Sequence, residues 1–343
     1  VPVPDLRDDE EKISYQRGDV VVVPIPISSP TFGTGLVLGS AYFYGQTEEQ
    51  KKVQPASVTG IAGSYTDNES YAYGIGHQSY WDENRWRFNG SVGYGDFKLS
   101  LLAPEESEQS RLNWVVKGTV LNASVSRRII GKWYLGGLLR YLEVDQSIES
   151  IDEGDESVGF NLGDGIRVAG LGALIEYDNR DNPFNSYSGN SFKSEAVFNY
   201  TDEGSGEDYQ TYSAAYRSYH SLSDDLVLAW EIEGCTRSGE TPLWNACTVG
   251  LRGFATTDYL GESSASTQAE ARWRFSRRWG VVAFAGVGYS EGLFSEAGEG
   301  DRVTSYGVGG RFMVLESQRI NMRLDFAWSD NSEAVYLSVT EAF

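Results

Sequence analysis

The sequence predicts an all-β fold, a transmembrane antiparallel β-barrel of sixteen strands, and three observations carry that prediction. Apolar and polar residues alternate with a period of two along most of the chain, the pattern of strands with two unlike faces. Aromatic residues cluster at the ends of these stretches, as interfacial girdles require: Trp279 and Tyr289, Trp133 and Tyr141, Phe192 and Tyr200. Connections between the stretches alternate between short and long.

The alternation is explicit stretch by stretch. In "LVLAWEIE", Leu226, Leu228, Trp230 and Ile232 alternate with Val227, Ala229, Glu231 and Glu233. In "QAEARWRF", Ala269, Ala271, Trp273 and Phe275 alternate with Gln268, Glu270, Arg272 and Arg274. "SYGVGGRFMV" (305–314) and "RINMRLDFAW" (319–328) repeat the pattern, the latter setting Leu324 and Phe326 against Arg323 and Asp325. A soluble sandwich alternates too. These strands are longer, however, about the 9–11 residues that a tilted membrane crossing needs, and their polar face carries charges such as Arg140, Glu176, Lys193 and Glu195. That face suits a wet or hydrogen-bonded lumen.

Strands are expected at 34–45, 54–66, 69–80, 84–97, 111–126, 131–143, 165–178, 189–201, 208–220, 224–235, 264–276, 278–290, 303–315, 318–329 and 334–343. "DVVVVPIPIS" (19–28) supplies a sixteenth, and an even number keeps both termini on one side. The turns at 82–85, 127–132, 221–225, 276–279 and 316–319 are short, whereas 143–165, 235–263 and 291–301 are long and acidic. Short turns at one end and long loops at the other are the layout of a bacterial outer-membrane barrel. Residues 1–17 read as a short polar periplasmic leader and 18–343 as the barrel, with no second domain.

Composition narrows the function classes. The 343 residues include 39 Gly, 21 Tyr and 9 Trp but only 2 Cys, and 49 acidic against 28 basic residues give a net charge of −21. No nucleic-acid partner is expected, because phosphate recognition needs a basic face. No apolar run approaches the roughly 20 residues of a membrane-spanning helix. No signal peptide is visible at Val1, so the chain is cytosolic or already processed. Cys235 and Cys247 lie in one polar, turn-rich segment and are expected to form a disulfide; two unrelated thiols are the alternative.

Three motifs stand in register on this pattern. "LRGF" places Leu251, Arg252, Gly253 and Phe254 in the long loop before "QAEARWRF" and "WGVVAFAGVG"; "EYDNRDNPFNSYSGNSF" (176–192) forms a turn; "SSPTFGTGLVLG" (28–39) stands near the start. Together they resemble the BamA/TamA-type outer-membrane assembly factor superfamily, also called bacterial surface antigens, over most of the chain. The resemblance implies that this sixth extracellular loop folds back into the lumen, where Arg252 meets acidic and aromatic groups of the wall. A guanidinium in a partly dry lumen must be paired. Glu270, on the polar parity of the next strand, is the expected partner, and Phe284, inward on the strand after it, the expected ring. The family often has an aspartate where Gly286 stands, which throws more weight onto Glu270. The glycines of "GVGYS" and "GVGGRF" read as small lumen-facing residues that make room for the loop.

The resemblance also implies periplasmic POTRA domains ahead of the barrel, and the expectation here is a barrel-only member, since 1–17 leaves no room for one. Its surroundings would be outer-membrane lipids and lipopolysaccharide, with client membrane proteins or a periplasmic partner supplied in trans; a homo-oligomer is open. Two functions follow: assembly or translocation of outer-membrane proteins or lipids through a weak seam between first and last strands, or a structural or channel-forming barrel without export role. The seam reading rests on Phe343, the terminal aromatic, and on Pro24 and Pro26. The two prolines are two residues apart, so both missing N–H groups fall on one edge of the first strand. A seam of this kind would put residue 23 near 337; alternatively 19–28 is a periplasmic lead-in outside the sheet.

Catalysis is not expected. Serine chemistry needs a base, and the histidines, His77 and His220, sit in Tyr-rich strand ends; Ser79, Ser218, Ser221, Asp224 and Asp225 lie near them but no nucleophile elbow appears. No cofactor is expected, and the glycine pairs have no phosphate-loop context. No metal site is expected either. "SIDEGDESVG" and "TDEGSGEDY" could gather Ca²⁺ loosely and bridge it to lipopolysaccharide, but neither has the spacing of a calcium loop.

Overall fold

The computed structural model describes residues 18–102, 111–149, 159–202, 206–292, 300–316, 319–330 and 332–343. The 1–17 segment and the acidic stretch 150–158 lie outside the described residues, as does part of the second acidic stretch, 203–205.

In chain order the elements are β1 (Asp19–Ser29), β2 (Gly33–Phe43), α1 (Glu48–Val53), β3 (Val58–Thr66), β4 (Tyr71–Trp81), β5 (Trp86–Leu102), β6 (Arg111–Ile130), β7 (Trp133–Glu149), β8 (Gly159–Asp178), β9 (Gly189–Thr201), β10 (Tyr209–Ser221), β11 (Leu226–Ser238), β12 (Cys247–Thr248), β13 (Leu260–Arg274), β14 (Trp279–Gly292), β15 (Asp301–Leu315), β16 (Ile320–Ser329) and β17 (Glu333–Val339). Each strand pairs antiparallel with its neighbours, and β17 returns to β1, so the sheet closes. Sixteen strands form the wall. β12 is a two-residue strand inside the long loop, paired with β13 through Cys247↔Gly261 and Thr248↔Leu260. The β11–β13 register, Ala229↔Glu270 at its centre, runs past it.

The segment 19–28 is therefore a wall strand. β1 pairs β2 over its whole 11-residue length, from Asp19↔Phe43 to Ser29↔Gly33. The expected strand at 54–66 starts later, at Val58, and ahead of it the 48–53 segment folds as a helix. Thr47 caps Gln50 N–H, the Gln50 side chain returns to the Thr47 N–H, and Glu48 and Glu49 occupy the first turn.

The alternation sets the two faces. Leu228, Trp230, Trp273, Val281, Tyr306, Val308, Leu324 and Phe326 are exposed on the outside. Glu231, Gln268, Glu270, Arg272, Phe284, Ser305, Arg311 and Asp325, of the opposite parity, are buried. In water such an apolar exterior would be a liability; against lipid it is the solvated face. No helix among the described residues is long and apolar enough to cross a membrane, so crossing falls to the strands. At the short-turn rim, aromatic pairs gather: Trp81–Trp86 at 6.4 Å, Trp133–Tyr177 at 5.0 Å and Trp279–Phe312 at 4.7 Å between ring centroids.

The polar face is uneven. Around β13–β17 it is packed solid, with Glu270 and Asp325 fully buried. Around β4–β9 a cavity of about 630 Å³ is lined by Gln78, Asn89, Asn122, Arg140, Lys193 and Glu195.

Candidate functional site

The packed half is built around the 249–259 segment. Val249, Leu251 and Phe254 are buried with Val303 of β15 in one apolar cluster, and Tyr259 packs edge-on against Phe254 at 4.7 Å. The wall leaves room through glycine. A Cβ at Gly286 would stand 2.7 Å from Leu251, and one at Gly288 2.3 Å from Val249. Gly286 thus accepts the loop.

The turn at Gly253 holds the segment in place. Its φ is +118°, a region that L side chains rarely adopt, and a Cβ there would meet the Trp328 carbonyl group at 3.1 Å. Its N–H donates to the Tyr336 hydroxyl at 2.9 Å, which in turn donates to the Phe254 carbonyl at 3.1 Å. Its carbonyl accepts from the hydroxyls of Ser332 at 2.6 Å and Ser329 at 3.2 Å. Ser305 Oγ donates to the Arg252 carbonyl. Further on, Thr256 N–H donates to Thr31 Oγ1 at 2.9 Å and Thr257 Oγ1 to the Ser100 carbonyl at 2.6 Å, so the loop reaches from β15–β17 across to the β1–β2 turn and β5.

Arg252 is 6% exposed. Its Nη2 bonds Glu270 Oε1 and, at 3.3 Å, Gln268 Oε1; its Nη1 bonds Asp325 Oδ2 at 2.7 Å. The guanidinium carbon lies 3.5 Å from the centroid of the Phe284 ring. Glu270 and Phe284 are direct cross-strand partners of β13 and β14, so one guanidinium meets the carboxylate with its edge and the ring with its face.

Asp325, which sequence reasoning placed only on the polar parity, is the second carboxylate. It joins Arg252 to Arg311, whose Nη1 bonds Oδ1 at 2.5 Å, and Arg323 Nη1 stands 3.6 Å away. Arg311 Nε continues to Glu341 at 2.7 Å, which also accepts from Asn321 Nδ2 at 2.6 Å. In the other direction Gln268 Nε2 donates to Glu231 at 2.8 Å, and Arg217 Nε reaches the same carboxylate at 2.6 Å. Arg272 completes Glu270 at 2.8 Å and donates to the Phe343 carbonyl at 3.0 Å, its guanidinium 5.2 Å from the Phe343 ring. The buried groups balance closely: Arg252, Arg272 and Arg311 against Glu231, Glu270, Asp325 and Glu341, with the partly exposed Arg217 and Arg323 beside them. Paired in this way, charges taken out of water hold a loop in one register; left single they would be costly.

Cys235 and Cys247 form a disulfide. It ties β11 to β12 at the start of the loop, and Cys247 is fully buried.

At the seam, β1 and β17 meet in one register pair, Ser28↔Leu337. The sequence expectation put residue 23 near 337; the register is five residues away, because β17 ends at Val339 and pairs β1 only near its outer end. Pro24, exposed, and Pro26 lie on the stretch of β1 that has β2 but not β17 as a partner.

The histidines sit elsewhere. His77 bonds Thr59 Oγ1 at 2.8 Å and packs against the Tyr44 ring. His220 Nε2 bonds Ser218 Oγ at 2.7 Å, while nearby Asp225 faces Arg274 at 3.5 Å.

These features define a class: a sixteen-stranded, seam-closed barrel of outer-membrane type, with an arginine-centred loop buried against its own wall. Its fold is that of BamA/Omp85-type barrels. BamA from Haemophilus ducreyi lacking POTRA domains 1–3 aligns with a TM-score of 0.60 over 95% of this chain and 70% of that chain, at 12% identity. CdiB from Acinetobacter baumannii gives 0.60 over 94% and 59%, at 12% identity, and CdiB from Escherichia coli 0.58 over 96% and 68%, at 10% identity. No protein-family model and no curated sequence matches the chain.

Proposed function

We propose that the protein assembles or translocates outer-membrane proteins or lipids by opening the seam between β1 and β17, with the buried loop fixing the β13–β17 half as a rigid jaw. The observation that carries this reading is the contrast at the seam. β1 pairs β2 over all 11 residues and β17 pairs β16 over all 7, yet β1 and β17 share one register pair. Few ladder bonds need to break for the two edges to part, and if the proline edge of β1 faces β17, Pro24 and Pro26 carry no N–H to remake them. Arg252, Glu270, Asp325 and Phe284 act as positioning residues in this scheme. The clients that this reading calls for are membrane proteins or lipids of the outer membrane.

The test is a disulfide lock. Cysteines at 28 and 337, oxidised in cells, should reproduce the outer-membrane protein and lipid profile of a deletion strain, and reduction should restore the wild-type profile. An unchanged profile in both strains removes the reading.

The cavity lined by Arg140, Lys193 and Glu195 favours a second reading, a channel-forming barrel without export role. In a planar bilayer that reading requires conductance that rises when 248–262 is deleted.

A further inference from the structure

A cavity of about 730 Å³ lies beside β1. Its lining combines two faces of the wall. Val21, Val23 and Ile25 are the half-buried, inward parity of β1, whose neighbours Val20 and Val22 are exposed outside. Val314, Ile320 and Val339 belong to the outward parity of β15–β17, the side that carries Val308, Leu324 and Val335. A space bounded by the inner face of one edge strand and the outer face of the opposite edge crosses the wall at the seam. It does so on the half of β1 away from Ser28↔Leu337, where the two edges share no ladder. Phe184, from the β8–β9 turn, reaches the same space.

We propose that this cavity is a binding site for a lipid acyl chain that enters sideways from the bilayer. Three arguments support it. The wall is largely hydrocarbon, with Ser40, Ser91 and Thr340 its hydroxyl-bearing side chains and no charged side chain in its lining, so water inside would find few hydrogen-bond partners. The space is open to one side, and its volume lies within the range of small-molecule pockets, about 300–1,000 Å³. The apolar neighbour with access is the bilayer, because Val314, Ile320 and Val339 of the outer face line the cavity directly. The absence of a cation in the lining keeps the headgroup outside, so recognition is of the chain alone. The cavity around Arg140, Lys193 and Glu195 borders this one at Gly60, Gly76 and Ser91 and carries the charged wall that this one lacks. The site does not depend on what the seam passes.

Photolabelling tests the site. The protein is folded into phosphatidylethanolamine–phosphatidylglycerol vesicles containing a phospholipid with a mid-chain diazirine, irradiated, and mapped by peptide sequencing. The expected result is label on Val21, Val23 or Ile25 as well as on outward Val20 and Val22. Two filling variants serve as controls. Val23→Phe enlarges an inward side chain, and Gly39→Leu acts from the position opposite Val23, where a Cβ would have only ordinary contacts at 3.9 Å and beyond. Each should cut inward labelling several-fold and leave outward labelling unchanged, with heat-modifiable gel mobility showing that the barrel is folded. Label confined to Val20 and Val22, or inward label that neither folded variant reduces, overturns the proposal.

Discussion

Arg252 Nη1 and Asp325 Oδ2 lie 2.7 Å apart, joining a loop residue to a wall strand 73 positions further along the chain. With Glu270 on its other arm, the guanidinium is held between two fully buried carboxylates. Removing it takes one of two guanidinium partners from each, Arg272 and Arg311 remaining, and deleting one member of a buried ion pair costs up to about 3–5 kcal/mol. Arg252→Ala should lower the urea-unfolding free energy of the detergent-folded barrel by that order. Glu270→Gln and Asp325→Asn should each cost less, and each double mutant with Arg252→Ala should be clearly non-additive. Additive costs would mean that the pairs carry no coupling.

Gly253 should tolerate no side chain. Alanine there must adopt φ near +118° and push against the Trp328 backbone, so Gly253→Ala combines strain with a clash that no side-chain movement relieves. We expect a loss of at least about 1–3 kcal/mol and faster proteolysis within 249–259. The Tyr336→Phe variant separates hydrogen bonding from strain: it removes the hydroxyl that serves Gly253 N–H and the Phe254 carbonyl but leaves the turn unstrained. Its cost should be smaller, and a larger one would place the weight on the hydroxyl.

Much of this was legible in the sequence. Period-two parity put Glu270 and Phe284 on the polar face, and the resemblance picked out Arg252; the Glu270↔Phe284 register then explains why one guanidinium meets both. Asp325 was visible only as one polar position among several, because choosing it requires knowing how deeply the loop inserts. The glycines at 286 and 288 were legible as room for the loop, but the depth is fixed by bonds from Ser305, Ser332 and Tyr336, none of which carries a local signal. The seam register was misplaced for a related reason. Parity fixes which face a residue has but not how far one strand slides along another, and the shortness of β17 decided the slide.

Reducing Cys235–Cys247 should loosen the loop's entry without unfolding the wall. The bond closes a span of 12 residues, and crosslinks of this length are worth roughly 3 kcal/mol by chain entropy. Cys235→Ser with Cys247→Ser should therefore lower the unfolding midpoint and speed amide exchange at 239–250 most. Exchange within β13 should stay slow, held by its ladders to β11 and β14. Equal acceleration through β13 would show that the bond supports the wall itself.

Acid should release a strap over the short-turn rim. Arg319 bonds Asp181 at 2.5 Å, and its guanidinium lies 4.4 Å from the Tyr187 ring; Arg274 bonds the Tyr187 hydroxyl at 2.7 Å, and Ser221 donates to the Tyr187 carbonyl at 3.0 Å. The β8–β9 turn thereby reaches the turns after β10, β13 and β15. Partial burial alone would raise the Asp181 carboxyl, but Arg319 and the N–H groups of Ser188 and Tyr187 together hold it below the ordinary value. A depressed folded-state value means that the unfolded chain takes up its proton first as pH falls. The contribution is therefore complete above the ordinary carboxyl range, near pH 4, and disappears as pH drops through the folded-state value. The stability difference between wild type and Asp181→Asn should be constant from pH 8 to about pH 5 and shrink toward zero at lower pH. Thermal unfolding of both proteins across that range measures it, and a difference that persists unchanged at pH 2 would assign the effect to packing and not to the ion pair.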